Sequence, residues 1–256
     1  MNAKLFNWDL IKYEFRNTLG NVFIIIFGVG FPILMTCLCG PMFMKDVPEQ
    51  FKSNALTTFF IGVSTIIPLA TVFIGYAANF SQELEKGVPI RFKLFGYKEK
   101  TLIASKLIAN LILVTISMVI YTTVNYMSLD LEVPTIKAVI ILIISLYALT
   151  IVTFTFAHGL ALMFKKFAPT NAITMILYFV IMILSGLFGV APDDFPKALR
   201  FISYLLPTTY ISQDFIVFWQ DGSYNFAPFI QSFIFFAVVS LVILIVAVHK
   251  DSRVRV

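Results

Sequence analysis

The sequence predicts an all-α polytopic membrane protein with six transmembrane helices. Three observations predict it. The chain of 256 residues is 59% hydrophobic and only 13% charged, about half the ~25% charge of soluble domains. Charged residues confine themselves to short intervals that leave six long uncharged runs: Asn17–Met44, Ser53–Gln82, Leu107–Leu129, Ala138–Phe164, Phe167–Pro192 and Gly222–His249. Each exceeds the ~20 residues a helix needs to cross the hydrocarbon. Lysine and arginine are lopsided, with fourteen of nineteen falling on the side that holds both termini. That side is expected to be cytoplasmic. The net charge of +5 follows from this asymmetry and predicts no nucleic-acid partner. The whole chain, 1–256, reads as one transmembrane domain of a multi-pass protein of the cell membrane.

Residues 3–18 are expected to form a helix on the membrane surface. Asp9, Lys12 and Arg16 share a polar face, while Phe6, Leu10, Tyr13 and Trp8, Ile11, Phe15 form two apolar flanks. Glu14 sits in the middle of the apolar side, which a plain membrane anchor would not favour. Glu14 and Arg16 are therefore candidates for contact with a cytoplasmic neighbour. The acidic and basic residues before the first apolar run do not resemble a cleavable signal.

The six spans are placed near 21–44, 56–80, 103–128, 136–163, 170–190 and 227–248. Pro32 is expected to kink the first. Cys37 and Cys39, both in that span, are expected to be packing residues. Between spans two and three lies Ser81–Tyr97, SQELEKGVPIRFKLFGY, with five charges in eleven positions. Gly87 is a plausible helix stop, and Pro89 biases Val88 away from helix. This interval, 81–97, reads as a structured cytoplasmic elbow. His158 is the one ionisable group well inside a predicted span, a candidate intramembrane polar site, although an imidazole bonded to a neighbouring helix is the commoner outcome. Ser185, Gly186 and Gly189 at the end of span five suit close helix approach. Residues 191–225 form the longest outer segment. Phe201–Gln213 is uncharged but too short to span, and Pro207 interrupts it. This predicts a broken, re-entrant hairpin with Tyr204, Tyr210 and Trp219 at the water–lipid boundary.

Three motifs resemble the membrane subunit of ABC-2 type (type V) exporters: YEFRNTLGN…FPIL (Tyr13–Leu34), ELEKG (Glu83–Gly87) followed by Arg91, and LLPTTY (Leu205–Tyr210). They occur in the family's order on six spans and cover essentially the whole chain. The resemblance implies that Glu83, Glu85, Lys86, Gly87 and Arg91 belong to a coupling helix, and that Leu206, Pro207 and Tyr210 belong to the outer re-entrant or gate segment. It also implies two copies of a separate ABC ATPase, a second permease subunit identical or homologous to this one, and export. One departure is Gly96, where family members often carry proline. This lowers the stiffness expected of the elbow.

The residues fit this picture by themselves. No G-x-x-x-x-G-K-[ST] phosphate loop exists and Gly-Lys never occurs, so ATP and magnesium are expected on the partner and no cofactor on this chain. No acidic residue lies inside a predicted span to serve as an ion relay. No H-E-x-x-H or G-x-S-x-G motif suggests a membrane enzyme. The expected function is ATP-driven alternating access by a non-catalytic permease. Twenty-eight phenylalanines and no intramembrane basic cluster favour a hydrophobic or amphipathic cargo, a drug or antimicrobial peptide. Phenylalanine facing membrane lipid explains the same count. A lipid-linked glycan or other lipid precursor remains the alternative cargo. A stand-alone carrier or channel relying on His158 is the alternative mechanism.

Overall fold

A computed structural model describes residues 7–220 and 222–254. Among these the protein is helical, with no strand, and six helices are long and apolar enough to cross a membrane. We label the helices in chain order: α1 Trp8–Leu19, α2 Ile26–Phe43, α3 Glu49–Glu85, α4 Val88–Leu94, α5 Glu99–Ser128, α6 Ile136–Phe164, α7 Phe167–Leu184, α8 Lys197–Ser203, α9 Pro207–Gln213, α10 Phe215–Trp219 and α11 Phe226–Val254. Helices α2, α3, α5, α6, α7 and α11 are the six spans.

Helix α1 starts where Asn7 Oδ1 accepts hydrogen bonds from the N–H groups of Asp9 and Leu10 at 3.0 and 3.3 Å, satisfying two donors that the helix itself leaves free. The part of the expected surface helix at 3–6, including Phe6, lies outside the described residues. Of the two expected apolar flanks only part is used. Leu10, Ile11, Glu14 and Thr18 are buried against α5, whereas Trp8 and Tyr13 are exposed.

Helix α3 is the central strut and the most buried span. Its 37 residues extend about 55 Å at 1.5 Å per residue, well beyond a ~30 Å hydrocarbon layer. The span therefore runs on, unbroken at its end, into the elbow. Pro32 in α2 and Pro68 in α3 do not break their spans. The helices instead widen locally, over Ile26–Gly30 and Met35–Cys39 in α2 and Leu69–Tyr76 in α3. Such wider windings absorb a proline's missing donor and clash. Thr36 Oγ1 donates to the Pro32 carbonyl at 3.0 Å. The most extensive helix pairing joins α6 to α11. Gly159 permits it: a Cβ there would lie 3.0 Å from Leu244 N and 3.1 Å from its Cα, so a larger residue would push the two backbones apart.

Span five ends at Leu184 rather than near 190. Gly186 and Gly189 have φ of +80° and +83° and turn the chain sharply, and Gly186 also lets α9 approach, since a Cβ there would lie 2.6 Å from Gln213 Nε2. At that end of the bundle, α8 to α10 fold back onto the spans. Thr208, Thr209, Ile211 and Ser212 are buried. Ser212 Oγ donates to the Ser185 carbonyl at 2.5 Å and Tyr210 Oη to the Tyr204 carbonyl at 3.1 Å. Trp219, expected at a water–lipid boundary, is 2% exposed and donates to the Glu132 carbonyl at 3.1 Å. Its indole closes the fold-back segment onto the α5–α6 loop.

At the opposite end, α3 stops because Gly87 adopts φ +69°, the left-handed conformation glycine tolerates best. Helix α4 begins at once, and Pro89 falls in its first turn, where no backbone donor is lost. Val88 is helical although it precedes proline. Gly96 has φ +86° and its N–H donates to the Lys93 carbonyl at 3.0 Å. Proline fixes φ near −65° and has no N–H, so it cannot replace glycine in this turn. Gly96→Pro is expected to cost the elbow more than about 1 kcal/mol. Amide exchange across Val88–Leu94 should then quicken by about fivefold or more, while the melting midpoint of the six-span bundle hardly moves.

Candidate functional site

The elbow is built from the end of α3, helix α4, the Phe95–Gly96 turn and the start of α5. Its anchor is Lys106. From the second turn of α5, Lys106 Nζ donates to Glu14 Oε2 at 2.7 Å and to Glu83 Oε2 at 2.6 Å. Asn17 Nδ2 completes the Glu83 carboxylate by donating to Oε1 at 2.9 Å. The Lys106, Glu14 and Glu83 side chains are 7%, 4% and 12% exposed. A buried cation between two carboxylates thus joins three helices, α1, α3 and α5. Burying charges costs desolvation energy, which close pairing offsets only when the geometry is good. The return is one fixed arrangement of the three helices.

Further ties surround this cluster. Tyr13 of α1 packs edge-on against Phe92 of α4, centroids 5.6 Å apart, and Phe92 packs against Tyr97 at 5.7 Å. Lys93 Nζ pairs with Glu99 at 2.5 Å, joining α4 to α5. Glu85 Oε2 accepts the Phe167 N–H at 3.0 Å, placing a carboxylate at the start of α7, where a helix dipole favours it. The elbow is held from four directions, so the stiffness its glycine would have denied it comes from side chains instead.

The sequence-derived site residues divide by placement. Glu14 and Glu83 meet at Lys106, and Glu85 is engaged with α7. Lys86 and Arg91 face solvent. Gly87 makes the turn. Arg16 is exposed on α1, away from the cluster. Leu206, Pro207 and Tyr210 lie in the fold-back segment at the other end of the bundle. His158 lies between: its Nδ1 is 2.6 Å from Tyr76 Oη of α3, and its ring stacks on Phe80 at 4.6 Å. It lines a cavity of about 480 Å³ beneath the elbow. The imidazole is thus bonded to a neighbouring helix.

Sequence reasoning missed Lys106, Asn17 and the tip of the elbow. The available signal for the first was Glu14, a carboxylate in an apolar stripe that requires a buried counter-charge. At the tip, Ile90, Leu94 and Phe95 are 64%, 83% and 79% exposed. Ile90 and Leu94 share one face of α4 at i, i+4. Large apolar side chains this exposed, flanked by Lys86 and Arg91, have no cover among the described residues.

The Glu14 carboxyl is pushed up from its ordinary 4.5, by burial first. Lys106 opposes this and the Glu83 charge adds to it. A raised carboxyl keeps a proton in the folded state that the unfolded chain has released. Its contribution to stability therefore falls as pH rises from about 4.5 through the raised value. Glu14→Gln is expected to remove that part of the slope, so melting midpoints of the two proteins, followed against pH, should converge toward acid and separate above pH 4.5.

A larger cavity, about 740 Å³, opens on the elbow side between α1 and the spans α2, α3 and α7. Arg16, Asn17, Asn79 and Asn171 give it polar lining, and Ile24, Ile74, Met175 and Phe179 give it apolar lining.

None of the curated proteins compared with the chain matches it. Residues 7–213, most of the chain and including the whole elbow, match the family model described as ABC-2 type transporter. With six membrane-length helices in place, the chain belongs to the ABC-2 type transporter family, as a multi-pass permease component of a transporter.

Proposed function

We propose that this chain is the permease of an ATP-driven exporter, and that the elbow receives the stroke of a separate ABC ATPase. The observation that carries this is the pairing of a solvent-exposed apolar tip, Ile90, Leu94 and Phe95, with a buried ionic cluster that welds the elbow to α1, α3 and α5. An apolar knob rimmed by cations suits a groove with acidic walls. Lys86 and Arg91 supply the cations. Glu83 and Glu85 serve the handle from inside: Glu83 fixes it to Lys106 and Glu85 fixes it to α7. The excess of lysine and arginine on this side supports a cytoplasmic elbow.

Two permease copies and two ATPase copies form the working complex in this reading. Closure of the ATPase pair moves the elbows together, and α3, continuous with the elbow, carries the motion into the membrane. The widened windings of α2 and α3 are the points at which those spans change twist. The 740 Å³ cavity is the cargo path, accessible from the cytoplasmic leaflet, and its apolar lining suits an amphipathic cargo. ATP and magnesium stay on the partner.

A single cysteine at Leu94, with Cys37 and Cys39 replaced by alanine, tests the elbow contact. On co-expression with an ATPase subunit given single cysteines along its groove, a bifunctional maleimide is expected to join the two proteins, and nucleotide should change the yield. If Leu94→Cys reacts freely with a soluble maleimide and never joins the ATPase, the elbow is not the docking point.

A further inference from the structure

The 740 Å³ cavity has a chemical polarity that names its cargo more narrowly. We infer that it takes a small amphiphile whose head is anionic, a phosphate or carboxylate, and whose single tail points into the membrane. This rests on the reading of the cavity as the cargo path. Two helices carry an amide at the elbow end of the cavity with apolar lining one or two turns along: in α3 Asn79 follows Ile74 and Gly75, and in α7 Asn171 precedes Met175 and Phe179. Asn21, just ahead of α2, donates to Asn79 Oδ1 at 2.7 Å. Asn17, Gln82 and Arg16 complete the polar lining. Among the described residues Arg16 is the one charged side chain lining the cavity, and no carboxylate lines it. Asn17 and Asn21 already donate to Glu83 and Asn79, so the donors left for an occupant are the Asn79, Gln82 and Asn171 amides and one guanidinium, a set that binds an oxyanion. A cationic head would lose water there without gaining a counter-charge.

The volume lies within the range of drug-sized ligand sites, roughly 300–1,000 Å³. It suits a head and one tail and is too small for a folded peptide or a glycan polymer. This reading narrows the expected cargo away from antimicrobial peptides, which are commonly cationic.

The test uses the full chain in phosphatidylcholine nanodiscs, with dodecyl phosphate carrying a diazirine near the end of its tail. Photolabelling is expected on the peptides bearing Phe27 and Met175. Unlabelled dodecyl phosphate should compete about tenfold better than dodecyltrimethylammonium, the difference one charge-assisted contact makes. Arg16→Glu should reverse that preference with circular dichroism and elution volume unchanged, and Asn171→Leu should weaken anion competition without reversing it. Equal competition by the two probes, or a preference untouched by Arg16→Glu, overturns the inference while leaving the cargo path standing. No labelling of the cavity by any amphiphile overturns the cargo path itself, independently of the Leu94 cross-link. Nanodiscs doped with phosphatidylglycerol distinguish the source of the anion. Protection by this lipid assigns the head to a bilayer lipid and overturns the single tail. Absence of protection supports a free single-tailed amphiphile.

Discussion

Lys106→Met is expected to destabilise the protein by about 3–5 kcal/mol, the cost typical of leaving buried charge uncompensated. The side chain is nearly isosteric, so little packing volume changes. What is lost is the ammonium shared by Glu14 at 2.7 Å and Glu83 at 2.6 Å. Two carboxylates then face each other in a site that water hardly reaches. One must take up a proton, or α1 must swing away from α5. Either outcome removes the central anchor of the elbow. In a detergent-solubilised thermal melt, Lys106→Met should lose most of the cooperative transition at neutral pH and recover part of it in mild acid, where protonation relieves the repulsion. The triple variant Glu14→Gln, Glu83→Gln, Lys106→Met should melt well above Lys106→Met alone, because replacing every member of a buried ionic group by neutral groups removes the desolvation cost along with the attraction. If the triple and single variants melt together, Lys106 acts through packing and not through charge.

The triple variant also separates stability from coupling. It restores a folded elbow but ties it with weaker neutral bonds. In the assembled complex it is expected to hydrolyse ATP with cargo stimulation reduced, whereas its melting midpoint stays near that of the natural sequence. A purely structural cluster would show both measures recovering together.

The six spans were legible because they rest on long uncharged runs, and charge is the strongest single discriminator between lipid and water. Their ends were less legible, each for a physical reason. Span five stops at Leu184 because Gly186 and Gly189 take positive φ, a preference that glycine shares with the close helix packing expected there. Span two runs on to Glu85 because Glu83 and Glu85 have partners on other helices. In sequence they read as the start of a separate elbow after the span. Trp219 reads as an interface residue until the Glu132 carbonyl comes within reach of its indole. The elbow itself was visible in Gly87 and the surrounding charges, and its turn at Gly87 follows from local backbone chemistry. The identity of its anchor was not. Glu14 announced an unmet need for a cation, but its partner lies 92 positions away, and only packing of α1 across α5 selects Lys106 among the lysines of that region. Gly96 shows the same limit from the other direction. It weakens the elbow by composition, yet the turn it makes requires it, and Lys93, Phe92 and Lys106 supply the stiffness through contacts that no local pattern encodes.

Leu94→Glu is expected to uncouple the transporter without unfolding it. Leu94 is 83% exposed and has little to lose within the chain, so the melting midpoint should change within about 0.5 kcal/mol of equivalent stability, as for ordinary surface substitutions. In the proposed complex the same side chain fills a groove on the ATPase. A carboxylate placed there would be desolvated against acidic walls, and a single unpaired charge at the centre of an interface costs several kcal/mol. Binding of the ATPase subunit should weaken by about a hundredfold or more, the factor that roughly 3 kcal/mol gives. Cargo-stimulated hydrolysis should fall with it. Leu94→Met, which keeps length and apolarity, should behave as the natural protein, and Ile90→Glu, on the same face of α4, should repeat the effect of Leu94→Glu. Salt sharpens the reading. The Lys86 and Arg91 contacts are exposed and screened at high ionic strength, so raising salt should weaken the natural complex more steeply than it weakens a complex lacking both cations. If Leu94→Glu leaves affinity and stimulation unchanged while Lys86→Ala and Arg91→Ala abolish them, the elbow docks through its charges and its apolar tip faces the membrane surface instead.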